Sequence, residues 1–151
     1  MSSTSNENII KQIRASKEAI TKGMLLSIDP ASNTCGYAIY VAGKLQVSGT
    51  VAATPKALIH QRLHEILHRL PDVKPDVLAI ELNRTQTGHV YLTWSTGVII
   101  AKYGVNTIEI PQRMWKEIID DKYEKSDQTD AIYIGRYVVH TAKGDNIILR
   151  R

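Results

Sequence analysis

Two short apolar runs, each ending in an acid, leave this chain few folds to choose from. Met24-Leu25-Leu26-Ser27-Ile28 ends at Asp29-Pro30, and Val77-Leu78-Ala79-Ile80 ends at Glu81. An apolar run without alternation is how a strand covered on both faces reads. Strands of that kind belong inside a layered α/β domain. A carboxylate at the end of one is costly unless it is solvated, paired or bound to a cation. As parallel neighbours about 5 Å apart, the two strands would bring their acids together at one sheet edge.

The rest of the chain supplies the other layers. Gly36–Val41 reads as a second strand, Ala42-Gly43-Lys44 as a tight turn, and Leu45–Val51 as a third strand. Together with the first strand they make an antiparallel meander. Pro55 opens a helix in which Leu58, Ile59, Leu63, Ile66, Leu67 and Leu70 recur every three to four residues, with Arg62 the one polar interruption. Pro71 and Pro75 end it. A helix followed by a strand implies a right-handed crossover, so the strand at 77–81 is expected parallel to the first.

Next come a polar loop over 82–89 and a helix from about Val90 to Tyr103, with Trp94, Gly97, Val98 and Ala101 on one face. A fifth strand, Thr107–Ile110, is closed by Pro111, and a brief helical stretch spans Met114–Ile119. The charged segment Asp120–Lys125 reads as a loop. The last helix runs from about Asp127 to Thr141, with Ala131, Ile134, Tyr137 and Val138 facing inward. The predicted fold is α/β: a five-stranded mixed sheet, three antiparallel strands then two parallel, flanked by helices. Residues 1–22 are expected to be a flexible or weakly helical N-terminal arm, in which Ile9, Ile10, Ile13 and Ile20 form an apolar stripe and Lys11, Arg14 and Lys17 lie outside it. Residues 23–151 form the expected folded domain.

Composition narrows the function classes. The 151 residues suit one domain, and 43% apolar with 23% charged residues excludes a disordered tail or a fibre. No 18-residue apolar run exists, so no membrane partner is expected. The lone Cys35 forms no internal disulfide and reads as a small buried side chain. With no apolar leader, and with Glu7 and Glu18 interrupting any basic presequence, a cytoplasmic location is the expectation.

Two further acids, Asp127 and Asp130, are spaced i, i+3 at the start of the last helix, where the dipole favours negative charge. Each acid has an ordinary reading alone, Asp29 capping a turn and Asp127 an N-cap. All four together at matched strand ends and one helix start point to a site. Four converging carboxylates need a cation among them. Hard oxygen ligands suit Mg2+ or Mn2+, and two such ions would clamp a phosphate for metal-assisted phosphodiester hydrolysis. Net charge is +4; with these four acids set aside, eleven acids face nineteen bases. A basic surface around an acidic cluster suggests a polyanion partner.

These motifs resemble a known family. Ser27-Ile28-Asp29-Pro30-Ala31-Ser32 followed by Gly36-Tyr37 looks like the opening of RuvC-type Holliday junction resolvases. Ala79-Ile80-Glu81 resembles their second acidic strand end, Gly97-Val98-Ile99 the helix after it, and Asp127-Gln128-Thr129-Asp130-Ala131 their closing D-x-x-D-A helix. The resemblance covers about residues 24–141. It implies a ribonuclease H-like nuclease domain that cuts four-way (Holliday) junctions and other branched DNA as a homodimer. It also implies two Mg2+ or Mn2+ ions per active site, with Asp29, Glu81, Asp127 and Asp130 as catalytic metal ligands, and 5′-phosphate products. A two-fold junction suits a two-fold dimer. Two departures are Ala31, where the family usually has Gly, and the longer arm at 1–22; the short chain resembles phage or viral members.

Around the acids, Arg84, Gln86 and His89 lie in the loop after Glu81 and are candidates for phosphate and base contacts. Arg113, Lys116, Lys122 and Lys125 precede the last acidic pair and could hold DNA phosphates. Trp94 reads as core, with a stacking wedge as the alternative, and its helix as a dimer interface. His60, His64 and His68 fall at i, i+4, i+8 and read as a solvent face, with a zinc site as the alternative. The competing functions are a non-cleaving branched-DNA binding protein and a related nuclease acting on flaps or RNA–DNA hybrids. An actin-like ATPase, which shares a similar opening motif, needs a second large domain for which the chain has no room.

Overall fold

The computed structural model describes residues 3–31, 33–82 and 90–145. The first apolar run becomes β1 (Met24–Pro30), the middle of a five-stranded sheet. Antiparallel β2 (Thr34–Val41) lies on one side of it, with β3 (Lys44–Ala52) at the edge beyond. Parallel β4 (Val77–Leu82) and β5 (Asn106–Pro111) lie on the other side, giving the order β3-β2-β1-β4-β5. This is the mixed α/β sheet expected from the sequence. Ala42 and Gly43 both take positive φ, 51° and 77°, the two-residue turn that matches the twist of a hairpin.

Side-chain alternation along β1 and β4 sorts the chemistry. Leu26 and Ile28, with Leu78 and Ile80, join the layer beneath α3 (Ile59–Arg69) and α4 (Val90–Tyr103). Leu25, Val77 and Ala79 join the opposite layer, beneath α6 (Asp127–Lys143). By the two-residue period, Ser27, Asp29 and Glu81 share that second face. The last paired rung of the parallel ladder is Ile28–Ile80, so Asp29 and Glu81 are the next step on each strand.

Close approach of α6 brings its first turn to these acids. Gly36 pairs with Asp29 across β1 and β2, and a Cβ at Gly36 would stand 1.9 Å from the Asp127 carbonyl oxygen. Only glycine admits the helix there. Gly135 performs the same service further along, since a Cβ would lie 2.2 Å from the Tyr40 ring. Ser27 Oγ donates to the Ala131 carbonyl at 2.7 Å, and Tyr40 Oη to that of Ile132 at 2.6 Å, tying helix to sheet. The inward residues Ala131, Ile134, Tyr137 and Val138 are buried as expected.

Residues in the expected arm form α1 (Ser3–Ala15) and α2 (Lys17–Lys22), which pack on α6. Ile9, Ile13 and Ile20 belong to the same core as α6, while Lys11, Arg14 and Lys17 are exposed. The apolar stripe thus has a partner in the fold.

On α4, Trp94 is not the core residue that the sequence suggests. Trp94 is 52% exposed, Gly97 and Ala101 are exposed, and Val98 is half-buried. The helix instead buries Ser95, Thr96 and Ile99 against the sheet. On α3, His60, His64 and His68 are exposed, and the rings of His64 and His68 stack with centroids 6.3 Å apart. No helix among the described residues is long and apolar enough to cross a membrane.

Candidate active site

At the C-terminal ends of β1 and β4, Asp29, Glu81 and Asp130 are buried, at 5%, 4% and 3% exposure, beside half-buried Asp127. Burial of three carboxylates in one place is costly. α6 makes it possible by starting there. Ser126 is the N-cap, its Oγ accepting from the Thr129 backbone N–H at 3.0 Å. Because Ser126 takes that duty, Asp127 is not the cap. Its carboxylate instead accepts from the Thr34 hydroxyl on β2.

Asp29 feels all three other acids. Burial, then the charge and hydrogen bond of Glu81, then Asp130 and Asp127, raise its carboxyl to about 10. Asp29 therefore favours its protonated form at neutral pH. Glu81 also accepts from the indole Nε1 of Trp115 at 3.0 Å. Asp130 accepts from the Tyr123 hydroxyl, and Lys125 Nζ lies 3.5 Å from its other oxygen. Burial first, then Asp130, push the Tyr123 hydroxyl upward, so it stays a donor.

Neighbouring donors thus meet the other three carboxylates. Among the described residues, no three His, Cys, Asp or Glu side chains are already arranged to hold an ion. The donor chemistry nevertheless fits a hard divalent cation. Among the described residues the acids that act on Asp29 offer oxygen donors, and their mutual repulsion is what a cation would relieve. Cys35 is buried nearby, and burial, then Asp29 and Asp127, raise its thiol far above the usual range, so it is inert.

The expected DNA-contacting residues divide. Arg84, Gln86 and His89 lie outside the described residues. Arg113 is exposed and its guanidinium donates to Asn6 Oδ1 at 2.7 Å, tying α5 (Gln112–Trp115) to α1. Lys116 Nζ lies 5.8 Å from the centre of the Trp115 ring. Lys122 is exposed in the turn after Asp120, which accepts its backbone N–H at 3.1 Å. Among the described residues, Lys125 is the cation that reaches a site acid. Sequence reasoning missed Thr34, Trp115 and Tyr123. The only signal for them was their residue type, since each reaches its acid across a turn or a strand pairing.

No protein-family profile matches the chain, and no curated protein sequence does. Solved structures do. Thermus thermophilus RuvC superposes with a TM-score of 0.62 at 18% identity, covering 80% of this chain and 96% of that one. The same protein in complex with a Holliday junction substrate gives 0.58 at 17% identity, covering 80% and 94%. With its mixed sheet, its covering helices and this agreement over nearly the whole of its neighbour, the chain has the ribonuclease H-like fold of RuvC.

Proposed function

We propose that the protein is a structure-selective DNA endonuclease that resolves four-way junctions and other branched DNA, leaving 5′-phosphates. The observation that carries the reading is the convergence of Asp29, Glu81, Asp127 and Asp130 at one sheet edge, on the fold of RuvC. RuvC is a Holliday-junction-binding protein in its own structure. A fold alone does not set function, so the acids bear the weight. Without a cation they would repel a phosphodiester; they make sense only where a cation joins them.

Asp29, Glu81, Asp127 and Asp130 are the ligands for two Mg2+ or Mn2+ ions. Bound there, such ions supply a water made nucleophilic at neutral pH and charge to meet the leaving oxygen. The chain's own residues prepare that chemistry. Gly36 lets Asp127 stand opposite Asp29, Thr34 and Tyr123 orient Asp127 and Asp130, and burial keeps competing water away. Lys125, whose Nζ lies 3.5 Å from Asp130, is the proposed phosphate contact beside the acids. Arg113, Lys116 and Lys122, with Arg84, Gln86 and His89, are the proposed wider DNA contacts.

A second copy is the proposed partner. The apolar outer stripe of α4, with Trp94 half in solvent, is the kind of surface that dimer cores use. A two-fold pair would match the symmetry of a junction.

The test is Mg2+-dependent nicking of a synthetic four-way junction, run beside flap and RNA–DNA hybrid substrates. The parent is expected to nick the junction best, and Asp29→Asn to be slower by about a hundredfold or more. That variant should bind the junction about as tightly, since the basic residues that meet the phosphates are unchanged. Tight binding by the parent with no nicking in Mg2+ or Mn2+ would instead mark a non-cleaving junction-binding protein.

A further inference from the structure

Trp115 is the largest fully buried side chain of the core, and its ring has one polar atom. A buried indole N–H needs an acceptor. Most such groups find a backbone carbonyl; this one donates to the Glu81 carboxylate at 3.0 Å. The placement follows from the fold. β5 runs beside β4 with Ile110 level with Glu81 and Pro111 level with Leu82. Pro111 then caps α5, a single turn that carries Trp115 back to the Glu81 end of β4. Met114 and Ile118 are buried in the same core cluster as Trp115.

We propose that Trp115 is the positioning residue for Glu81: by holding one carboxylate oxygen from within the core, it sets the direction in which Glu81 faces Asp29 and a bound divalent ion. This rests on the metal-site reading of the four acids. It extends that reading to a residue on a different element. Donation to the carboxylate holds one of its oxygens in a fixed direction. It also restricts rotation of a side chain that would otherwise lose freedom only when the ion arrives.

The chain has two tryptophans, so Trp94→Phe leaves Trp115 as the sole indole. In that protein the emission of Trp115 should change saturably with Mn2+ and Mg2+, and not with added NaCl. Adding Glu81→Gln should abolish the change. Independently, Trp115→Phe keeps most of the ring volume and removes the N–H. Its half-saturating Mn2+ concentration for junction nicking should rise about tenfold, with the maximal rate within about threefold of the parent. A merely structural role would lower thermal stability and leave the Mn2+ half-saturation unchanged.

An ion-insensitive Trp115 emission in a protein that does nick with Mn2+ would overturn this proposal and leave the nuclease reading standing. A parent that neither binds Mn2+ nor nicks would overturn the reading beneath it. Should Trp115→Phe fail to fold, the emission titration in the Trp94→Phe protein decides alone.

Discussion

The two faces of the central sheet are built from the same strands and to different ends. Toward α3 and α4, β1 and β4 present Leu26, Ile28, Leu78 and Ile80, all fully buried and all apolar. Toward α6 the same strands present Leu25, Val77 and Ala79, and then Ser27, Asp29 and Glu81 as that helix begins. The first face is a stability device. The second gives up apolar burial at one end to hold carboxylates that repel one another. Neighbouring residues on one strand should therefore respond to substitution with opposite signs.

The contrast is put under most strain at Gly36. Gly36→Ala would place a methyl on the Asp127 backbone and push away the first turn of α6. The loss should be about 2–4 kcal/mol in unfolding free energy, measured by denaturant titration, with nicking lost as well. Unchanged stability would mean that α6 does not approach β2 as closely as described.

Next in size is a pair of neighbours. Ile28→Ala should cost about 3 kcal/mol by leaving a cavity in the apolar layer. Asp29→Asn should do the reverse and stabilise the cation-free protein by about 1–2 kcal/mol, as removal of functional strain often does. Equal losses at both positions would erase the distinction between the faces.

The sign at Asp29 can be followed with pH. Its carboxyl is raised in the folded chain from an ordinary value of 3.8 to about 10. Between those values the folded state keeps a proton that the unfolded state has released. Unfolding free energy then falls as pH rises, because the unfolded state binds fewer protons. The contribution is fully present below about pH 4 and is lost progressively toward pH 10. Denaturation midpoints of the cation-free protein across that window should slope downward more steeply than those of Asp29→Asn. The smallest effect is expected away from both faces. Ala42, held at φ 51° in the hairpin turn, should gain under about 1 kcal/mol on replacement by Gly.

How much of this could be read from the sequence differs between the same regions. β1 and β4 were legible because unbroken apolar runs admit few readings, and a terminal acid stands out against them. Asp127 and Asp130 were legible because i, i+3 spacing fixes a shared helix face. The orientation of α4 was not legible. Its core side uses Ser95 and Thr96, which no hydropathy pattern marks, and its solvent side carries Trp94. α1 and α2 offered a weak isoleucine stripe whose partner, α6, lies more than a hundred residues away. Thr34, Trp115 and Tyr123 reach their acids only through strand pairing or a turn, so their roles depend on tertiary placement that spacing does not encode.

If the four carboxylates make one cation site, Mg2+ or Mn2+ binding must stabilise the folded chain, since the unfolded chain cannot gather them. Thermal denaturation of the parent and of Asp29→Asn, each across a millimolar Mg2+ titration at fixed ionic strength, measures this directly. The parent's midpoint should climb steadily with Mg2+ while that of Asp29→Asn stays nearly flat. A parent midpoint that ignores the ion, or an Asp29→Asn midpoint that climbs equally, would contradict it.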